Sequence, residues 1–212
     1  MKKNIIFVIP ALNEERCIKK VILEFKKIGN VLVVNDNSKD RTKYLASKYS
    51  NFIINNKRRL GYDKSLRVGL KYAATRIKGC NIIFSIDGDG QHQSKSVNVF
   101  LKKIINNDIV IGKRQFFNRF AEYLIGFFSN ILDGISDPLC GMKCYKKNKL
   151  IYLLKNLKDN SDYIGMFFLK GKNKYTEVSI KVKENKLTRF GSGFKANMRM
   201  IFAYIKIKFK II

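Results

Sequence analysis

Asp87-Gly88-Asp89-Gly90-Gln91-His92 sets two carboxylates at i and i+2 directly after the apolar stretch 81–86. That stretch, rich in Ile and Phe, predicts a buried strand, so the acids stand in the loop where it ends. The two glycines permit a sharp turn and leave room for a ligand to come close to the backbone. Carboxylates so placed are hard oxygen ligands, suited to a Mg²⁺ or Mn²⁺ that is itself holding a diphosphate. The same residues also suit a plain Gly/Asp turn with solvated acids, and a lone D-x-D is too short to decide between the two. His92 reads as an exposed loop histidine rather than a metal ligand.

The loop needs a scaffold, and the flanking pattern supplies one. Apolar residues at Ile18, Val21, Ile22, Phe25 and Ile28 predict a helix over 14–28, between strands at 4–10 and 31–34. Further strands are expected at 52–54, 81–86 and 108–111, with helices at 41–49, 65–77 and 94–105. This βαβα order argues for a mostly parallel sheet covered by helices on both faces. Ligands of such sheets sit at the carboxyl ends of the strands. The polar stretches 10–14, 35–40 and 87–92 are therefore expected to share one crevice.

The second half is less regular. Residues 116–132, rich in aromatics, predict an amphipathic helix that faces either the core or a membrane. A turn at 137–141 precedes a strand at 142–145, and a helix at 162–170 and a strand at 175–182 follow. The tail 197–212 mixes Met, Ile, Phe and Tyr with Arg199, Lys206, Lys208 and Lys210. Its longest apolar run, 200–205, is far short of the roughly 20 residues that span a bilayer. The tail therefore either lies in a membrane interface or forms a last element with a solvated basic face.

With 212 residues, 46% of them hydrophobic, the chain fits one globular domain with a sizeable core. The formal charge of +27 is compatible with nucleic acid, an anionic membrane surface or a polyanionic substrate. The basic residues are spread along the chain rather than gathered in one tract, and part of the excess follows from a composition rich in Lys, Asn and Ile. Cys17, Cys80, Cys140 and Cys144 form no C-x-x-C pair, which argues against a structural zinc site and for reduced thiols in a cytoplasmic protein. Lys2-Lys3 before an apolar segment looks superficially like a signal peptide, but that segment is short and runs into Asn13-Glu14-Glu15. A first core strand is expected there instead.

Four segments together carry a resemblance. They are Pro10-Ala11-Leu12-Asn13-Glu14, the stretch 33–42 around Asn35-Asp36-Asn37, Asp87-Gly88-Asp89-Gly90-Gln91, and Asp137-Pro138-Leu139-Cys140-Gly141-Met142-Lys143. In this order and at these spacings the chain resembles family 2 glycosyltransferases of the GT-A fold. The nearest branch is that of dolichyl-phosphate mannosyltransferase and other polyprenyl-phosphate glycosyltransferases. The resemblance covers about residues 4–195, and implies a single α/β GT-A domain over 1–195 followed by a basic, apolar tail at 196–212. It implies inverting, metal-dependent transfer of a sugar from a nucleotide-sugar donor to an acceptor, foremost a polyprenyl phosphate. Mg²⁺ or Mn²⁺ would be the cofactor, and the enzyme would sit peripherally at the cytoplasmic face of the membrane.

The match also implies roles. Pro10, Leu12 and Glu14 would lie against the nucleotide, and Asp36 would contact its base. Asp87 and Gly88 would bind the sugar nucleotide, with Asp87, Asp89 and Gln91 at the metal and Asp89 catalytic. Arg114, Arg189 and Lys195 would clamp the diphosphate or an acceptor phosphate. Asp137 would be the base for a hydroxyl acceptor or else cap a turn, whereas a phosphate acceptor would need no strong base. Asn35 and Asn37 replace the family's usual acids and glycine, and the loop 57–64 keeps only Gly61 of its usual glycines. A transferase extending a cell-surface glycan is the second reading. A nucleic-acid-binding protein is a third, but it lacks any matching motif and leaves Asp87 and Asp89 without a purpose, so no nucleic-acid partner is expected.

Overall fold

The computed structural model describes residues 4–117, 119–157, 166, 169, 173–183 and 194–209, without the side chains of 194–196 and 209. Seven strands form one sheet in the order β3-β2-β1-β4-β6-β5-β7. They are β1 (Ile5–Ala11), β2 (Asn30–Asn35), β3 (Phe52–Asn55), β4 (Ile82–Ser85), β5 (Ile109–Lys113), β6 (Lys143–Lys146) and β7 (Tyr175–Ser179). All neighbours are parallel except β6, which runs antiparallel between β4 and β5. The helices are α1 (Ile18–Phe25), α2 (Thr42–Tyr49), α3 (Tyr62–Arg76), α4 (Val97–Ile104), α5 (Phe120–Asp133), α6 (Lys147–Lys155) and α7 (Phe194–Phe209).

Strand alternation divides the core. Phe7, Ile9, Val31, Val33, Phe84 and Val110 face α1 and α4, where Phe7 stacks obliquely between Phe25 and Phe84 at centroid distances of 4.9 and 5.0 Å. Ile6, Val8, Leu32, Val34, Ile83 and Ile109 face α3 and α6. Burying both faces requires apolar residues at consecutive positions, hence the near-continuous apolar strands. Gly69 lets α3 settle onto the sheet, because a Cβ there would stand 2.4 Å from Val8 Cγ1 and 2.7 Å from Val34 Cγ2.

Several elements differ from expectation for local reasons. α1 starts at Ile18 rather than at 14, since the Glu14 and Glu15 amides donate to Thr42 Oγ1 and Asp40 Oδ2 instead of entering a helix. β1 continues through Pro10 to Ala11. β4 pairs with β1 only as far as Val8, so one flank of β1 is open at Pro10 and its missing N–H costs no ladder bond there. α3 begins three residues earlier than expected, at Tyr62, and α5 begins at Phe120 rather than 116. α6 was not expected, although Leu150 and Leu153 give it a buried stripe. The helix expected at 162–170 falls mostly outside the described residues. α7 packs on α5, with Met200, Tyr204 and Ile207 buried against Ala121 and Ile125.

Candidate functional site

The three polar strand ends meet. Asn13, in a left-handed turn conformation, donates its amide to Ser38 Oγ at 3.0 Å, and its side chain accepts from Lys39 N at 2.8 Å. These bonds join the ends of β1 and β2. Gly88 brings the end of β4 in, since a Cβ on it would stand 3.3 Å from Pro10 O and 3.4 Å from Glu14 Cγ. Pro10, Glu14, Asp36 and Gly88 are buried where these strand ends come together, with half-buried Leu12, Asp87 and Asp89 in the adjoining turns.

Asp87 is partly buried and held from several sides. The Tyr62 hydroxyl donates to its Oδ1 at 2.6 Å, and Gly141 packs so tightly that a Cβ would lie 2.2 Å from its Oδ2. Burial and the Asp87 carboxylate push the Tyr62 phenol well above its ordinary value, so the hydroxyl stays a donor. His92 is not exposed. At 4% exposure it accepts the Asp87 amide on Nδ1 at 3.1 Å, which leaves the proton on Nε2, 3.7 Å from Asp87 Oδ2. A histidine on a tight turn folds back under its own loop, which corrects the expectation of a solvated side chain. Asp89 Oδ1 accepts the Gln91 amide at 3.0 Å, closing the turn, and Gln91 O accepts Lys183 N at 3.2 Å.

Asp87 and Asp89 offer the hard oxygen donors that a Mg²⁺ or Mn²⁺ ion needs. Among the described residues no group of three or more His, Cys, Asp and Glu side chains is assembled to hold a metal. The two acids therefore fit a cation that completes its shell with substrate oxygens and water.

Asp36, expected at the base, is 2% exposed and has protein partners. Its Oδ1 accepts from Asn56 Nδ2 at 2.9 Å and Leu60 N at 2.7 Å, and its Oδ2 from Gly61 N at 2.8 Å. It thereby organises the loop in front of α3. Arg114 and Asp137, expected to act separately, are partners: Nε to Oδ2 and Nη2 to Oδ1 are both 2.8 Å. Burial disfavours the Arg114 charge, but the hydrogen bonds and charge of Asp137 outweigh it and raise Arg114 above its ordinary value. Glu122 adds a second carboxylate at 3.5 Å. Arg189 lies outside the described residues, as does the Lys195 side chain.

Lys143 is buried near both Asp87 and Asp137. It faces Ser85 across the β4–β6 pair, is 2% exposed, and donates to Cys140 O. Burial lowers its ammonium, opposed by Cys140, Asp137 and Asp87 nearby. Sequence reasoning assigned no role to Tyr62 or Lys143. Tyr62 follows Gly61 and Lys143 lies two residues after Gly141, but nothing local ties either one to Asp87.

The model of the glycosyl transferase family 2 matches residues 6–168. The UDP-N-acetylglucosamine–dolichyl-phosphate N-acetylglucosaminyltransferase of Methanococcus voltae is 28% identical over 189 residues, covering 74% of this chain and 74% of that protein. A dolichyl-phosphate beta-glucosyltransferase of Trichomonas vaginalis is 26% identical over 186 residues, 71% of this chain and 55% of its own length. Among solved structures, glucosyl-3-phosphoglycerate synthase from Mycobacterium tuberculosis, in complex with Mn²⁺, uridine diphosphate and phosphoglyceric acid, superposes with a TM-score of 0.75. At 17% identity, over 97% of this chain and 78% of that one, the likeness establishes the fold.

Proposed function

From the premise that the chain belongs to glycosyl transferase family 2, with a GT-A fold and a nucleotide-sugar donor, we propose that it transfers the sugar, with inversion, to a polyprenyl phosphate. The observation that carries the choice of acceptor is the state of Asp137. A hydroxyl acceptor needs a carboxylate to take its proton. Asp137 is 1% exposed, and both its oxygens accept from Arg114. A lipid monophosphate, with a second pKa of about 6 by analogy with phosphorylated side chains, already carries its nucleophilic oxygen ionised near neutral pH. It needs no such base. The dolichyl-phosphate acceptors named for both relatives support the same reading.

Asp87 and Asp89 would hold Mg²⁺ or Mn²⁺, which when bound stabilises charge on the departing diphosphate as a Lewis acid. Glu14 and Leu12 flank the nucleotide, and Asp36 shapes its pocket through Asn56, Leu60 and Gly61. The phosphate oxygen attacks the anomeric carbon from the face opposite the departing nucleoside diphosphate, while Gly141 leaves room for the Asp87 carboxylate beside it. Arg189 and Lys195 remain the proposed further phosphate contacts, with residues 1–195 as the catalytic domain.

No described helix is long and apolar enough to cross a membrane. We assign the enzyme to the cytoplasmic membrane face, where its acceptor resides, docked by the exposed apolar side of α5. The deciding experiment incubates purified protein and Mn²⁺ with individual nucleotide sugars, with and without undecaprenyl or dolichyl phosphate. Label in the lipid phase is the expected result. Transfer to soluble sugars, with none to either lipid phosphate, would replace the reading with glycan extension.

A further inference from the structure

We propose that Tyr62 is the positioning residue of the Asp87–Asp89 loop: its hydroxyl fixes the Asp87 carboxylate, and the segment 56–62 ties that carboxylate to Asp36 across the crevice. The inference rests on the reading of Asp87 and Asp89 as the cation loop.

Tyr62 is the first residue of α3, and α3 is firmly seated. Leu66, Leu70 and Ala73 enter the core, and Gly69 rests on Val8 and Val34. The segment before it is pinned onto Asp36 at both ends, by Asn56 Nδ2 at its start and by the amides of Leu60 and Gly61 directly before Tyr62, while Asn56 Nδ2 also donates to Ser65 Oγ at 3.0 Å inside the first turn of α3. β1 lies between β2 and β4 in the sheet. The segment therefore bridges the end of β1, linking the acid that follows β2 to the acid that follows β4.

At 2.6 Å the Tyr62–Asp87 bond falls in the range of a charge-assisted O–H···O⁻ contact, the stronger class of hydrogen bond. An aspartate can turn about its last torsion at little cost. Here Tyr62 fixes Oδ1 while Gly141 and His92 confine Oδ2, so the carboxylate has one orientation. A ligand that moves the 56–61 loop must move Tyr62 with it, and so changes how Asp87 is presented.

The test is titration of Mn²⁺ by electron paramagnetic resonance, alone and with each common nucleoside diphosphate, on wild type, Tyr62→Phe, Asp36→Asn, the double variant and Asp89→Asn. Tyr62→Phe should raise the Mn²⁺ dissociation constant about tenfold, as for one hydrogen bond to a charged group, with an unchanged circular dichroism spectrum. Asp36→Asn should weaken Mn²⁺ in the same direction, and the two effects should be less than additive because they act through one segment. Asp36→Asn reads the link from its far end, so the test survives if Tyr62→Phe fails to fold. Wild-type affinity in Tyr62→Phe beside a weakened Asp89→Asn would overturn the role of Tyr62 alone. Unchanged affinity in Asp36→Asn, or full additivity, would overturn the link. Undiminished binding by Asp89→Asn, or no Mn²⁺ binding by wild type, would remove the cation reading and this inference with it.

Discussion

Arg114 lies against Asp137 in a two-pronged pair, Nε to Oδ2 and Nη2 to Oδ1 both at 2.8 Å, and the Arg114 amide reaches the same Oδ2 at 3.0 Å. The Asp137 amide in turn donates to Glu177 Oε1 at 2.7 Å. These contacts join the end of β5 and the middle of β7 to the turn before β6. The pair sets the position of Cys140 and Gly141, and through Gly141 the wall against Asp87.

Breaking a buried pair at one partner leaves the other charge uncompensated, at a cost of about 3–5 kcal/mol. Asp137→Ala should lose stability of that order in urea denaturation. The triple variant Arg114→Met, Glu122→Gln, Asp137→Ala should recover part of it, because the Arg114 cation is removed together with both of its carboxylate partners. A loss below about 1 kcal/mol in the single variant would mean that the pair is solvated rather than structural.

Asp89→Asn should lower the transfer rate by ~10²-fold or more, the scale seen when a group that stabilises developing charge is removed. Asp89 is partly exposed in the loop that follows β4, so circular dichroism should not change. Wild-type turnover by this variant in the presence of EDTA would sink the proposed cation chemistry.

The crevice was legible in the sequence because strand ends in an α/β sheet converge by topology, and three polar stretches sat at three such ends. The antiparallel placement of β6 was not, since no local pattern distinguishes a strand that enters between β4 and β5 from one added at the edge. The pairing of Arg114 with Asp137 also escaped, being a contact over 23 positions between residues each plausible as a substrate ligand. Asp36 shows the same limit. Its turn was readable, but its engagement with Asn56, Leu60 and Gly61 depends on where α3 settles. His92 was misjudged because a polar residue in a Gly-rich turn reads as solvated until its turn folds under the strand.

Alkaline pH should destabilise the fold through its buried thiols. Burial, with Asp137 nearby, pushes Cys140 up to about 12, and burial raises Cys144 well above its ordinary value. A thiol in the unfolded chain ionises near pH 8.5. Above that value the unfolded state has released protons that the folded state still holds, so stability falls with rising pH. The contribution is complete below the unfolded value and is lost as pH climbs through the folded one. Urea midpoints should therefore drop between pH 8 and pH 10.5, and less steeply in Cys140→Ala. Equal slopes in both proteins would show that Cys140 ionises no later folded than unfolded.

The membrane contact should reside on α5 more than on the tail. Phe120, Phe127 and Ile131 are 69%, 63% and 63% exposed, and Tyr123, Phe128 and Leu132 extend the same side of the helix. The acids of α5 point inward, Glu122 to Arg114 and Asp133 to Lys208, so no carboxylate of this helix opposes an anionic surface. α7 contributes exposed Phe202 between exposed Arg199 and Lys206, while Lys208 is taken up by Asp133. Apolar side chains would enter the interface as an amphipathic helix does, with each nearby basic residue adding about 1 kcal/mol on anionic lipid. A second copy of the chain is a poor partner for this side, because two surfaces of like positive charge repel. Co-sedimentation with phosphatidylglycerol vesicles should be strong at low salt and weaken as salt shortens the Debye length. Phe127→Glu with Ile131→Glu should abolish it, Lys206→Gln should reduce it modestly, and neither should alter the urea midpoint. Undiminished sedimentation of the double glutamate variant would move the docking surface off α5, and loss of vesicle binding with retained transfer to detergent-solubilised polyprenyl phosphate would separate docking from catalysis.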